Sequence, residues 1–398
     1  MNARVARAGR FVKQPTGYRA FIPAPLPPDP PILLDSSLGA LLSRADQAVG
    51  RLDGVIHTLP DADLFIAMYV RQEAVLSSQI EGTQSSLDDL LAFELDPGGQ
   101  ELPHDVAEVI NYVRAMNYGL DRLMTLPLSL RLIREIHAEL LAGVRGASKQ
   151  PGAFRTSQNW IGAGNVPLAR ATFVPPPVSE MWTTLNDLER FMHEENSLPV
   201  LIYCGLAHAQ FETIHPFLDG NGRVGRLLIT FLLYHRGVLH RPVLYLSTFL
   251  KRHRAEYYDR LMAVREEGDW EGWLRFFLRG VAETAEEATA TARAIVQLRE
   301  THRRLIQEHG LGVHGPRLLD LLFHFPMVNV RLVEQQLGVA FVTANKLLKR
   351  LEALGIVQET TGGKKFRRFR YTPYLVLFDS ANAAPGQEVP VQTTEAET

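Results

Sequence analysis

H-P-F-L-D-G-N-G-R-V-G-R, residues His215 to Arg226, is the stretch on which the reading of this chain turns. It holds one imidazole, one carboxylate, three closely spaced glycines, an Asn and two Arg. The apolar run Leu227–Leu233 follows at once and reads as a buried helix. Before it, residues 201–213 place Ala and Leu so as to cover a core face. The stretch is therefore a loop between two buried helices, and its second half opens a helix.

That position has chemical consequences. A helix start offers unpaired backbone N–H groups and the positive end of the peptide dipole. Gly220 and Gly222 let the backbone approach a ligand closely, which makes an anion nest suited to a diphosphate. Arg223 and Arg226 are three residues apart, share a face and fit phosphate oxygens. Asp219 is a hard oxygen ligand beside the nest and suits Mg²⁺. His215 is left as a general base, with an ordinary pKa of about 6.5. The set describes a site for a magnesium–nucleotide and for deprotonating an incoming hydroxyl. On chemistry alone, a Gly-rich helix start beside a capping or packing His is an equally good account.

The string resembles the signature of the Fic family, H-x-F-x-D/E-G-N-G-R-x-x-R. His215, Phe217, Asp219, Gly220, Asn221, Gly222, Arg223 and Arg226 fill every specified position. The resemblance implies a mainly α fold, a helical Fic core, and transfer of AMP from ATP to a Ser, Thr or Tyr hydroxyl of a protein, with pyrophosphate released. Carried over, His215 deprotonates the hydroxyl and Asp219 holds Mg²⁺. Gly220, Asn221, Gly222 and Gly225 cradle the phosphates, and Arg223 and Arg226 grip the β- and γ-phosphates. Phe217 anchors the loop in the core. The implied partner is a target protein, or the chain itself, and a homodimer controlling inhibition is compatible with it. Transfer of another nucleotide, or removal of AMP, uses the same motif.

The totals exclude other classes. At 398 residues two or three domains are expected. A net charge of −2 exerts no global pull toward nucleic acid or membrane. The single cysteine, Cys204, forms no internal disulfide, fits a reducing compartment and sits in an apolar helix as an inert thiol. No apolar run approaches the ~20 residues that span a bilayer. A cytoplasmic protein is expected.

Taken in order, residues 1–34 form a Pro-rich extended arm, with seven prolines between Pro15 and Pro31 that oppose helix and central strand. Residues 35–150 form an N-terminal helical region. Within it lies a helix over about 61–82 that ends in Ser77-Ser78-Gln79-Ile80-Glu81-Gly82. Taken alone this is an ordinary helix C-terminus. It also resembles the family's inhibitory motif, S/T-x-x-x-E-G/N, through Ser77, Glu81 and Gly82. The resemblance implies that Glu81 pairs with Arg226 and withholds it from the γ-phosphate. Residues 151–308 form the core, with a hairpin flap over 155–177. The flap is a surface hairpin on residue pattern, and a target-binding edge at Thr172, Phe173 and Val174 on resemblance. His208, two turns before His215, reads as a packed residue rather than a zinc ligand. Tyr257 and Tyr258 have the pattern of packing residues; the resemblance places a tyrosine here in the adenine pocket. Helices are expected at Trp270–Leu278 and Glu283–Glu308.

Residues 310–378 pattern as three helices and a hairpin, similar to a winged helix-turn-helix, followed by a disordered tail over 379–398. Eight Lys or Arg stand against two Glu between Phe341 and Tyr371, among them Lys346, Lys349, Arg350, Lys364, Lys365, Arg367, Arg368 and Arg370. Such a face can neutralise DNA phosphates, or serve as a solvated surface for protein contacts. A nucleotide-sensing, DNA-binding regulator built on the same core is the other function class.

Overall fold

Short polar side chains fix where the helices begin. Asp35 accepts from the Leu38 amide at 2.8 Å and starts α1, Ser36–Thr58. Ser86 and Asp89 form a capping box at the head of α3, Leu87–Leu95. Ser129 caps α5, Leu130–Leu140. Between these lie α2, Ala62–Ile80, and α4, Val106–Leu123. The computed structural model of the chain describes residues 6–59, 62–98, 103, 105–162, 167–194, 197–363 and 366–379.

The core continues with α6, Val178–His193, then α7, Val200–Ile214, and α8, Asn221–His235. Every residue of α7 from Leu201 to Ile214 is buried, so this helix is the axis around which the others pack. Cys204 is among them, and burial pushes its thiol up. The short α9, Ser247–Arg252, and α10, Arg254–Glu267, lead to α11, Trp270–Glu308. The two helices expected from sequence here are one helix of 39 residues, against which α1 lies lengthwise. Gly280 does not interrupt it; a Cβ there would meet the Phe249 ring at 2.6 Å, so close packing explains the glycine. The fold is mainly α, as the sequence indicates, and among the described residues no helix is long and apolar enough to cross a membrane.

The first departure is at the N-terminus. The Pro-rich arm contains an antiparallel hairpin, β1 Gly9–Lys13 with β2 Arg19–Pro23, registering Phe11 with Phe21. Pro15 falls in the turn and Pro23 at the strand end, so no proline interrupts the ladder. Phe21 is buried against Phe11 and Phe173.

The flap is the second. Among the described residues only Ile161 and Phe173 pair, through both of their amides, and a 3₁₀ turn at Leu168–Arg170 lies between them. The proposed Gly162–Asn165 turn falls mostly outside the described residues.

The C-terminal unit comprises α12 His314–His324, β3 Met327–Asn329, α13 Val330–Leu337, α14 Phe341–Ala353, β4 Gln358–Glu359, β5 Arg368–Arg370 and α15 Thr372–Asp379. Its strands form an antiparallel sheet in the order β3-β5-β4. The sequence pattern misses β3. Lys346 and Lys349 are exposed on α14. Arg350 instead donates to the His309 carbonyl at the end of α11, Arg367 pairs with Glu352 at 3.4 Å, and Arg370 with Asp88 at 3.0 Å. Lys364, Lys365 and residues 380–398 of the expected tail lie outside the described residues. The unit is fastened to α2: Gln72 donates to the Phe378 carbonyl at 2.7 Å, and Tyr69 packs on the Phe378 ring.

Candidate active site

The loop between α7 and α8 is pinned by its own side chains. His215 ends α7 in the left-handed region, φ +48°, and Gly220 precedes α8 at φ +77°. Asn221 closes the turn: its Oδ1 accepts from the Phe217 amide and its Nδ2 donates to the Phe217 carbonyl, both at 2.8 Å. The Phe217 ring is fully buried and stacks on His137 with centroids 3.7 Å apart. His137 accepts from the Gly152 amide at Nδ1, so its Nε2 carries the hydrogen that reaches the Asp219 carbonyl at 3.0 Å. Burial holds that imidazole's pKa down to about 4, which keeps it neutral. From the other side Asn159 donates to the carbonyls of His215 and Phe217, and Arg155 donates to the His215 carbonyl.

His215 is half-buried. Burial, followed by the Arg265 guanidinium, lowers its pKa to about 4. The ring is therefore neutral at pH 7 and able to take a proton. Arg265 is held by the Thr213 hydroxyl and the Glu212 carbonyl, and lies 3.9 Å from the centroid of Phe173. Asp219 keeps about a third of its side chain exposed; its Oδ1 accepts from the Gly220 amide at 2.6 Å.

The first turns of α8 meet two acidic residues. Arg226 donates from Nε to the Ser77 hydroxyl at 2.8 Å, and from one terminal nitrogen to the Ser77 carbonyl at 2.9 Å and Glu81 Oε1 at 2.7 Å. Burial would raise the Glu81 pKa, but Arg226 outweighs it and the net direction is down. The pair is therefore charged at neutral pH. A Cβ on Gly222 would collide with Glu81 Oε1, so the carboxylate lies directly against the helix start. Arg223 is bound instead to Glu108 of α4 at 3.0 Å, with both side chains buried.

Several sequence-based assignments change here. The Asn221 side chain holds the loop, so only its backbone can face a ligand. Arg223 is engaged by Glu108 and is no open counterpart of Arg226. Gly225 lies inside α8, where a Cβ would strike Glu212 and where its carbonyl meets His208 Nδ1 at 2.9 Å. Tyr257 is 1 % exposed and its hydroxyl meets His208 Nε2 at 2.9 Å, so it is a core residue beneath the site. Tyr258 is 40 % exposed and lies on the surface. Phe173 and Val174 are buried, and the Val174 carbonyl accepts from Phe21 of β2, while Thr172 is exposed. His208 is packed, as expected. Glu108, Asn159, Arg155 and His137 carried no local signal. Glu212 was also missed: it is buried, its Oε1 finds no partner among the described residues, and burial raises its pKa to about 7.

Residues 40–121 match the family model described as Fic/DOC family N-terminal, and residues 127–233 match the one described as Fic/DOC family. A protein adenylyltransferase Fic of Aedes aegypti is 35% identical over 210 residues, 51% of this chain and 36% of that one. Its namesake of Drosophila grimshawi is 31% identical over 183 residues, 45% of this chain and 33% of that one. The chain thus spans about a third of the length of the curated relatives it matches. Among solved structures, a Fic family protein of Desulfovibrio desulfuricans G20 shares the fold with TM-score 0.55 at 19% identity, over 86% of this chain and 97% of that one.

Proposed function

We propose, from the premise that the chain belongs to the Fic/DOC family through its two matched domains, that it is an autoinhibited protein adenylyltransferase. The observation that carries this reading is the placement of Arg226: buried at a glycine-lined helix start, one loop from a neutral imidazole, and held by Ser77 and Glu81.

In the proposed reaction a Ser, Thr or Tyr oxygen of a target protein attacks the α-phosphorus of ATP. The new O–P bond forms as the bond to the bridging oxygen breaks and pyrophosphate leaves. The hydroxyl proton passes to the His215 imidazole. The amides of Asn221 and Gly222 offer the positive end of α8 to the phosphates, with that of Gly220 joining them if Asp219 turns away to a metal ion. Asp219 suits Mg²⁺, because its carboxylate is a hard donor that keeps a solvent route. Bound there, the ion would neutralise phosphate charge. Arg226 becomes a γ-phosphate ligand only when Glu81 lets go of it, which is the proposed inhibition. The C-terminal unit is proposed to be a winged helix, on the order of its helices and its β3-β5-β4 sheet. Its contacts with α2 suit it to act on the inhibitory helix.

Transfer of label from α-³²P-ATP to protein tests the chemistry. With Glu81→Gly as the active background, adding His215→Ala should cost a factor of about 10² to 10⁴. Retained transfer would remove His215 as the base.

A further inference from the structure

At the end of α1 a second group of side chains converges without a role in nucleotide transfer. Asp53 and His57 lie one turn apart on α1. His240 comes from the segment between α8 and α9, 187 residues along the chain from Asp53. Asp53 Oδ1 accepts from the His240 main-chain amide at 3.0 Å, which fixes the carboxylate and turns Oδ2 toward both rings. Oδ2 is 2.9 Å from His240 Nδ1 and 3.7 Å from His57 Nδ1. The imidazole centroids are 5.1 Å apart at 82°. One donor atom from each residue lies within 4.8 Å of the other two.

We propose that Asp53, His57 and His240 form a binding site for a borderline divalent metal ion, Zn²⁺ in particular. Legs of 2.0–2.1 Å make the edge of a tetrahedron about 3.3 Å. The two separations from Oδ2 fall on either side of that length; once His57 Nδ1 gives up its 2.8 Å hydrogen bond to the Asp53 carbonyl, rotation of the two exposed rings completes the geometry. Two imidazole nitrogens and one carboxylate favour zinc, nickel or copper over Mg²⁺, which prefers an all-oxygen shell. Three protein ligands leave the fourth position to water. Both histidines are more than half exposed, so the ion enters without opening the fold.

The placement gives the ion a structural effect. It ties the last turn of α1 to the segment that follows α8. The next residue, Arg241, pairs with Asp63 in the first turn of α2 at 3.0 Å. The stitch therefore reaches the helix that Glu81 follows.

Calorimetric titration of the metal-free full chain with ZnCl₂, with MgCl₂ as control, tests this. Wild type should take up one Zn²⁺ per chain at micromolar affinity and melt at higher temperature with zinc present. MgCl₂ should do neither at this site. The double variant His57→Ala/His240→Ala, altered only at exposed positions, should lose both zinc effects. Asp53→Asn, which keeps an acceptor for the His240 amide, should weaken zinc at least about 10-fold. No stoichiometric zinc in wild type, or an unchanged melting shift in the double variant, would overturn the assignment.

Discussion

Two carboxylates grip the same end of α8, and they differ in what lies behind them. Glu108 on α4 holds Arg223 with side-chain exposures of 4% and 1%. Glu81, past the end of α2, holds Arg226, which is 2% exposed, while its own side chain is 32% exposed. The arginines are equally buried; the acids are not. Removing Glu108 leaves a buried charge with only the Asp219 carboxylate, 3.6 Å away, to answer it. Removing Glu81 leaves a cation that water or a phosphate oxygen can reach. An ion pair becomes releasable when one partner keeps a route to solvent. By that criterion Glu108–Arg223 is a lock and Glu81–Arg226 a latch.

The largest expected effect breaks the lock. Glu108→Ala should destabilise the fold by up to about 3–5 kcal/mol, because the buried Arg223 then keeps only the more distant Asp219 carboxylate, 3.6 Å away. A thermal melt within a degree or two of wild type would show that the two pairs do not differ as described.

Glu212 sharpens the comparison, as a buried acid near Arg226 whose carboxylate has no arginine bound to it among the described residues. Its folded pKa of about 7 lies above the ordinary 4.5, and burial is the main cause. Stability from this group is therefore intact below pH 4.5 and is lost as the pH rises through 7. Glu212→Gln should stabilise the fold at pH 8 by on the order of 3 kcal/mol, with no gain at pH 4.5. Equal gains at both pH values, or a loss at pH 8, would contradict the assignment. Ser77→Ala should have the smallest effect. It removes one of the hydrogen bonds to Arg226, a loss of about 1 kcal/mol, and should activate transfer less than Glu81→Gly. Activation matching Glu81→Gly would mean that Ser77, not Glu81, is the main restraint.

The latch was legible in the sequence and the lock was not, for a physical reason. Residues 215–226 are contiguous, and Ser77, Glu81 and Gly82 lie within six residues, so each stretch can be matched to a family pattern, although the second is by itself an ordinary helix end. Glu108 and Arg223 are 115 residues apart, and nothing local in α4 marks Glu108 as a partner. Asn159 and His137 act on backbone carbonyls of the loop, an interaction that any Asn or His might make. Arg223 was read as a phosphate ligand from helical spacing, which sets its face but not its neighbours. Tyr257 was placed in a pocket on resemblance, and the packing around His208 puts it in the core. In the N-terminal arm, proline count mattered less than proline position. In residues 270–308, two amphipathic segments proved to be one helix, because Gly280 serves close packing rather than a break.

The central claim is that Glu81 is the main restraint between this proposed site and catalysis. Intact mass of the purified chain with its target, or of the chain alone if it modifies itself, should be measured after incubation with Mg-ATP for wild type and Glu81→Gly. The expected result is a gain of one adenylyl group per acceptor in Glu81→Gly, about 10-fold or more faster than in wild type. The two proteins should melt within about 1 kcal/mol of each other. Equal rates in the two proteins, or a mass gain other than adenylyl, would contradict the account.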